Sequence, residues 1–534
     1  MQFSETLGQT LDRPRVRRVI LVAFGAIAAL SLRVQSPLAW DEAVYAARGK
    51  DLARTNFEWD TITSAYWSDL RAPGFPGFLA AAFELFGESD LIARLVVVGF
   101  SVGLLWMIAT TLDLVASRRV GTTAIVIAAL CPGFLATSTL AFADHPAAFF
   151  AVVGVYFLLH AHVRGAGLGL AMVPIALGIA TTMRFGATMF VGAALFIVAG
   201  AIVLRAIRER DPRALIPYVG AGAVTGAVVL FLLGTTFLTR NASPLEATDA
   251  QVDSVNNSST NWLRDLETIL TPGAVDYGFN GAFWGWSYAL VFVVVVVAVT
   301  TKLLMRGQVL WLLMFAAVSL TPVVMYGLSV RQYVTTYLSP QFAIGAAMLA
   351  WAIWLPAPTR SDDDDDEPAE PATTALPFAG MVRTGLVLLA LGTAFVSWRS
   401  FEGVEAMHER LGGFEQVRLA SIAADDMLGS DCRLFTTRVP QVAWYSDCNA
   451  SGFSGSFQPD GESVGGGMPW DEFVQVQASR VDLSGGATIG FLLLEGASGQ
   501  PRIDDVAELA DPDNSVVLRS ASGRRVALFE VNVG

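Results

Sequence analysis

The sequence predicts an all-α polytopic membrane protein of about eleven transmembrane helices, each near the ~20 residues that cross a bilayer. A small extracytoplasmic α/β domain follows at the C-terminal end. Three observations carry this. Of the 534 residues, 53% are hydrophobic and 16% charged, against about 25% charged in soluble domains. The apolar residues fall in blocks of roughly spanning length, ~20 residues. After Trp398 the pattern changes to short apolar runs broken by Gly, Ser and Asp.

The first span is Val19–Leu32, preceded by Arg13, Arg15, Arg17 and Arg18. A basic flank of this kind stays in the cytoplasm. The run is short, so a cleaved signal peptide is the alternative. Further spans are expected at Leu91–Val115, Thr122–Phe142, Pro146–His162, Leu168–Arg184, Gly186–Leu204 and Ala214–Leu238. The remaining four are Phe283–Thr301, Val309–Leu328, Tyr333–Trp354 and Phe378–Val396.

With the N-terminus inside, the ends at Arg118-Arg119, Arg164, Arg205–Arg213 and Lys302–Arg306 all fall in the cytoplasm, as the positive-inside rule expects. Three nonhelical regions then share the outer face: Val34–Pro73, the turn Ala143-Asp144-His145-Pro146, and Thr239–Ala282. The turn at Arg331-Gln332-Tyr333 joins them. The membrane part is expected to occupy residues 1–398, with residues 34–73 as its first outer catalytic loop. Residues 355–377 form an acidic cytoplasmic linker and residues 399–534 the outer domain. In that domain Val439–Tyr445, Thr488–Leu494 and Val516–Val531 read as strands.

The formal net charge is −13. Much of the excess lies in Asp362–Glu367 and the C-terminal segment, and no basic patch offsets phosphate repulsion, which excludes a nucleic-acid partner. Lysine occurs only at Lys50 and Lys302. An acidic, lysine-poor surface fits a salt-adapted, haloarchaeal source; a GC-rich genome is the alternative. Cys131 sits in an apolar block and reads as a core residue. Cys432 and Cys448 both lie in the outer region, where a disulfide can form, and their spacing does not match a zinc site.

Three groups of residues could carry chemistry. Asp41-Glu42 follows the first span; partial burial would make a carboxylate there a usable base, and an acidic helix start is the structural alternative. Asp144-His145-Pro146 interrupts two apolar spans. An N-cap at Asp144 with proline in the first turn accounts for two of these residues without function, and His145 could ligate a metal or face water. The third group is Arg71, Arg184 and Arg331. An arginine deep in apolar sequence has an anionic partner, and guanidinium groups grip phosphate with paired hydrogen bonds. Headgroup snorkelling is the alternative, above all for Arg71.

Taken in order, these features resemble the GT-C class of membrane glycosyltransferases, in the group of protein O-mannosyltransferases and lipid A aminoarabinose transferases. The resemblance runs from about Arg17 to Trp354. It rests on Asp41-Glu42, on Arg71-Ala72-Pro73 leading into Phe75–Phe86, and on Phe86-Gly87-Glu88-Ser89-Asp90-Leu91-Ile92-Ala93-Arg94-Leu95. Asp144-His145-Pro146 and the segment from Arg331-Gln332-Tyr333 to Pro340 complete it.

The resemblance implies a polyprenyl- or dolichyl-phosphate sugar as donor, a glycan, lipid or protein acceptor, and inversion at the anomeric carbon. It implies Asp41 as general base, Glu42 as its helper, and Asp144 as a residue positioning acceptor or metal. Arg71, Arg184 and Arg331 would hold the carrier phosphate, with His145 and Tyr333 nearby. Metal use varies across the class, so no metal is assigned. The aminoarabinose transferases usually carry Lys where Arg71 stands. The Trp-Trp-Asp-Tyr-Gly signature of oligosaccharyltransferase catalytic subunits is missing, and Trp444-Tyr445-Ser446-Asp447 does not replace it. The rival reading is a secondary transporter, against which stands the gathering of polar candidates at one face without an internal repeat. A membrane-anchored sensor comes third.

Overall fold

The computed structural model describes residues 9–32, 37–56, 74–165, 167–184, 212–238, 339–354, 414–429, 432–451, 488–495, 515–519 and 525–531, with isolated positions between them. These fall into two compact units. The first comprises Met1–Leu32, Ala72–Phe75 and Arg94–Val404. The second comprises Arg33–Arg71, Pro76–Ala93 and Glu405–Gly534.

The first unit is helical. Helix α1 is Pro14–Leu30. Two later elements belong mainly to the second unit: α2, Trp40–Arg54, and α3, Gly74–Phe86. Helix α4 runs over Asp90–Val115. Its start is set by Ser89, whose hydroxyl accepts the Ile92 N–H at 3.2 Å, a cap that contributes about 1 kcal/mol. Then come α5, Arg118–Ala129; α6, Pro132–Ser138; α7, Asp144–Arg164; and α8, Gly167–Met183. A 3₁₀ turn at Pro212–Leu215 leads into α9, Ile216–Leu238, and α10 is Ser339–Trp354. Helices α4 and α7 are each long and apolar enough to cross a membrane.

Two expectations are corrected here. The span expected over Thr122–Phe142 is two helices, α5 and α6, separated at Leu130-Cys131. Pro132 is the cause: its ring has no N–H to continue a helical ladder and is suited to a first turn, where it sits in α6. The region Val34–Pro73 is not wholly nonhelical, because Trp40–Arg54 is α2. The expected spans Gly186–Leu204, Phe283–Thr301, Val309–Leu328 and Phe378–Val396 lie largely or wholly outside the described residues.

Helices α7 and α8 form an antiparallel hairpin. Helix α7 ends at Gly165, whose φ of 68° is left-handed, a conformation that glycine adopts without steric cost. The chain reverses there, so the start of α7 and the end of α8 share one end of the hairpin. Near the end of α4 lies a buried polar cluster. Arg17 of α1 donates to both Asp113 carboxylate oxygens at 2.8 and 2.7 Å, to the Arg118 carbonyl at 3.1 Å and to Thr122 Oγ1 at 3.4 Å. Trp354 Nε1 of α10 donates to Thr123 Oγ1 at 2.7 Å, tying α10 to α5.

The second unit holds helix α11, Glu415–Leu428, strand β1, Cys432–Thr436, helix α12, Val439–Tyr445, and strand β2, Asn449–Ser451. Strands β3, Thr488–Leu494; β4, Ser515–Arg519; and β5, Arg525–Val531 follow. They make a mixed five-stranded sheet of order β2-β1-β3-β5-β4. Strand β1 is parallel to β2 and β3, whereas β5 is antiparallel to β3 and β4.

Thr488–Leu494 is a strand, as expected. Val439–Tyr445 is a helix and not a strand. The parallel pairing of β1 with β2 demands a crossover, α12 supplies it, and Pro440 sits in its first turn. Val516–Val531 is two strands, β4 and β5, because the polar stretch Ser520–Arg524 separates them. Register pairs Arg433 with Asn449. Cys432 is thereby opposite Cys448, and the two form a disulfide.

Candidate active site

The first unit assembles its polar residues at the shared end of the α7–α8 hairpin. Asp144 is the first residue of α7 and is 4% exposed. The N-cap is Ala143 and not Asp144 as the sequence suggested. Asp144 forms an ion pair with Arg184 Nη1, immediately after α8. Residues 40 apart in sequence meet because the hairpin returns the chain to its starting end. Two opposite charges in largely apolar surroundings stabilise one another. The Arg184 N–H also donates to the Ala180 carbonyl at 3.1 Å, which continues the helical ladder and fixes the root of the side chain.

The segment Ala72–Phe75 belongs to this unit too. A Cβ built at Gly74 would lie 2.5 Å from Thr182 Oγ1 and 2.7 Å from the Thr182 carbonyl carbon and oxygen. Only glycine lets the backbone approach so closely. The start of α3 is thereby packed against the end of α8, two residues before Arg184.

His145 follows Asp144 and is 1% exposed. Its Nδ1 is 2.6 Å from Ser101 Oγ of α4, and its Nε2 is 3.1 Å from Thr137 Oγ1 of α6. The ring stacks on Phe134 with centroids 4.8 Å apart. Both nitrogens are engaged by hydroxyls, so the ring ties three helices together and has no nitrogen left to ligate a metal. Neither the metal-ligand nor the water-facing expectation for His145 describes its place. Only the hydroxyl spacing could have signalled this, and Ser101 and Thr137 look unremarkable in sequence.

The second unit carries Asp41 and Glu42 in the first turn of α2. Glu42 is fully buried, and its carboxylate accepts the Ala39 N–H at 2.8 Å. That bond satisfies a backbone donor the helix leaves without an intrahelical partner. Asp41 is half-buried. The Arg438 guanidinium lies 5.9 Å from the Trp40 ring centre, a cation–π distance.

Lower on α2, Lys50 is buried and donates to the carbonyls of Trp444 at 3.2 Å and Ser446 at 3.0 Å, with Asp447 Oδ1 at 3.2 Å. Arg54 bridges Glu88 at 2.9 Å and Asp447 at 2.8 Å. The Arg54 hydrogen bond, with Lys50 nearby, holds the Asp447 carboxyl below the usual carboxylate range. Burial pushes the Asp51 carboxyl up. Sequence reading overlooked Lys50 and Arg54, which each have a partner almost 400 residues away in Ser446 and Asp447. Arg71, Arg331 and Tyr333 lie outside the described residues. The only metal-like grouping among the described residues is Asp425 with Cys432 and Cys448, and those sulfurs are committed to their disulfide.

Residues 71–233 match the family of dolichyl-phosphate-mannose-protein mannosyltransferases. That stretch includes Arg71, Asp144, His145 and Arg184 but not Asp41 or Glu42. Among solved structures, ArnT from Cupriavidus metallidurans bound to undecaprenyl phosphate aligns over 96% of this chain and 97% of its own, at 14% identity and a TM-score of 0.57. Its fold is that of the GT-C glycosyltransferases. The apo form of that ArnT gives a TM-score of 0.58 at the same coverage. The Archaeoglobus fulgidus oligosaccharyltransferase tethered to an acceptor peptide aligns over 91% of this chain and 70% of its own, at 11% identity and a TM-score of 0.52. No curated protein sequence matches the chain. The GT-C fold accounts for a mainly helical unit joined to a smaller unit with a sheet. At these identities it speaks for architecture and not for substrate.

Proposed function

We propose that this chain is a GT-C glycosyltransferase. It moves a sugar, a hexose such as mannose, from a polyprenyl- or dolichyl-phosphate carrier to a glycan or protein acceptor on the outer membrane face. The observation that carries the reading is the ion pair of buried Asp144 with partly exposed Arg184 at the open end of the α7–α8 hairpin, within the stretch that matches the mannosyltransferase family. A guanidinium held by a carboxylate beside a membrane-spanning helix is suited to receive phosphate, which it can grip through two parallel bonds. Arg71 and Arg331 share that work.

The reaction breaks the bond between the anomeric carbon and the carrier phosphate oxygen and forms one to the acceptor oxygen. Asp41 takes the acceptor hydroxyl proton as the oxygen attacks from the opposite face, which inverts the centre. Negative charge developing on the leaving phosphate is met by the arginines. Glu42 keeps the first turn of α2 in place. The N-terminus is cytoplasmic, and residues 399–534 form an extracytoplasmic domain.

The test is transfer by the purified chain in liposomes, from a radiolabelled polyprenyl-phosphate hexose to a glycan or peptide acceptor. Wild type is expected to transfer and Asp41→Asn to lose transfer. Full activity in Asp41→Asn would sink the base assignment. Uptake of solute into sealed vesicles, without transfer, would replace the enzyme with a transporter.

A further inference from the structure

We infer that Tyr445, with Asp90, is a positioning residue that fixes the first turn of α2, and with it Asp41, from the sheet-bearing domain; the inference rests on the glycosyltransferase reading. The side chains form a chain of contacts within the second unit. The Leu38 N–H donates to the Tyr445 hydroxyl at 2.6 Å. The same hydroxyl donates to one Asp90 carboxylate oxygen at 2.8 Å. Trp444 Nε1 donates to the other at 2.6 Å. The Trp444 ring packs on Phe83 of α3 with centroids 5.3 Å apart.

Leu38 stands three residues before Asp41. Its N–H precedes the helix and has no partner there of the i−4 kind. The neighbouring Ala39 N–H is held by Glu42. Two successive backbone donors ahead of Asp41 are therefore fixed, one by the helix itself and one by a residue 407 positions away. Lys50, reaching the Trp444 and Ser446 carbonyls, anchors the middle of α2 to the same Trp444–Asp447 segment. The chain is gripped just ahead of the first turn and again at Lys50, which lies about 15 Å along the helix from Trp40, as ten residues at ~1.5 Å each require. Cys448, in its disulfide with Cys432, ties the far side of the segment to β1. A general base must sit within hydrogen-bond reach of the proton it removes, and small displacements cost rate steeply. The domain thus acts as a jig for the base, independently of any part it takes in holding acceptor.

Tyr445→Phe removes the hydroxyl and keeps the ring. Hydrogen–deuterium exchange of full-length protein in liposomes is expected to rise about three- to tenfold over residues 38–45, the weight of one lost hydrogen bond. Exchange in β3 and β5 should stay at the wild-type level. In the transfer assay kcat is expected to fall about tenfold or more with KM for the lipid-phosphate hexose unchanged. Asp90→Asn, which leaves a single acceptor for two donors, should shift both readouts in the same direction. Val517→Ser, on the exposed face of β4, serves as the control and moves neither. Unchanged exchange over residues 38–45 in Tyr445→Phe overturns the clamp. Faster exchange with unchanged kcat overturns the positioning role. Should wild type transfer no sugar, the glycosyltransferase reading falls and the positioning role with it, while the exchange result still reports on the clamp alone.

Discussion

Two helices, α2 and α7, open on nearly the same motif, and they use it differently. Each starts with an aspartate in the first turn followed by a second titratable residue: Asp41-Glu42 in one and Asp144-His145 in the other. In both, the second residue is fully buried and committed to holding the helix start. Glu42 reaches back to its own backbone. His145 reaches sideways to Ser101 and Thr137. The aspartates diverge. Asp144 is buried against a guanidinium from the neighbouring helix, whereas Asp41 is half-buried in the unit that contains the sheet. A helix start can therefore present one acidic side chain for chemistry provided the next residue secures the turn.

The largest expected effect separates the first residue of each pair from the second. Asp41→Asn should lower kcat by about 10²- to 10⁴-fold, the usual weight of a general base, with no change in thermal unfolding in detergent. A lowered melting point with turnover intact would invert the comparison. Next comes Asp144→Ala, which removes the carboxylate that pairs with the partly exposed Arg184; a cost of about 2–3 kcal/mol is expected. Adding Arg184→Met should recover much of that stability without recovering activity. If the double variant is no more stable than the single one, the pair does not stabilise α7 and α8 as described.

His145→Ala should cost about 1–3 kcal/mol by leaving two buried hydroxyls without their ring partner. His145→Gln should cost less, because it keeps a donor and an acceptor. Activity that returns to His145→Ala on adding a divalent metal would mean that the ring does more than lock helices. Glu42→Gln should cost about 1 kcal/mol, the scale of a lost helix cap, and less rate than Asp41→Asn.

The smallest effect is set by pH and touches only α2. The folded-state pKa of Asp447 is depressed below 3.8 by the Arg54 hydrogen bond. Its contribution is present above that value and is lost as pH falls through the lowered folded value. Asp447→Asn should flatten this acid limb slightly, since the carboxylate is 54% exposed. An unaltered limb would remove Asp447 from the clamp.

Much of the helical frame was legible because a spanning helix announces itself by length and composition. The expected Leu91–Val115, Pro146–His162 and Leu168–Arg184 lie within two residues of α4, α7 and α8 at either end. Elements whose boundaries depend on a single residue were less legible. The break before Pro132 is hidden because both flanks are apolar. Val439–Tyr445 is seven residues long, and a short apolar run reads equally as a strand or a buried helix. Asp144 and Arg184 were each recognised as candidates, but their pairing follows from the hairpin and from no local signal. Lys50 stands out in the sequence only as one of two lysines, and Tyr445 only in a segment that fails to match a signature; neither reads as a site residue, because their partners are far away in sequence.

The reversal at Gly165 sets a ruler as well as a turn. The meeting of Asp144 with Arg184 depends on two helix lengths measured from one origin. Inserting a residue into α8 alone would slide the guanidinium along by about 1.5 Å and swing it around the axis by about 100°. Insertions or deletions between positions 144 and 184 are therefore tolerable only as matched pairs, one in each arm, and a library of single-residue insertions across this stretch should return almost no folded variants except at the reversal itself.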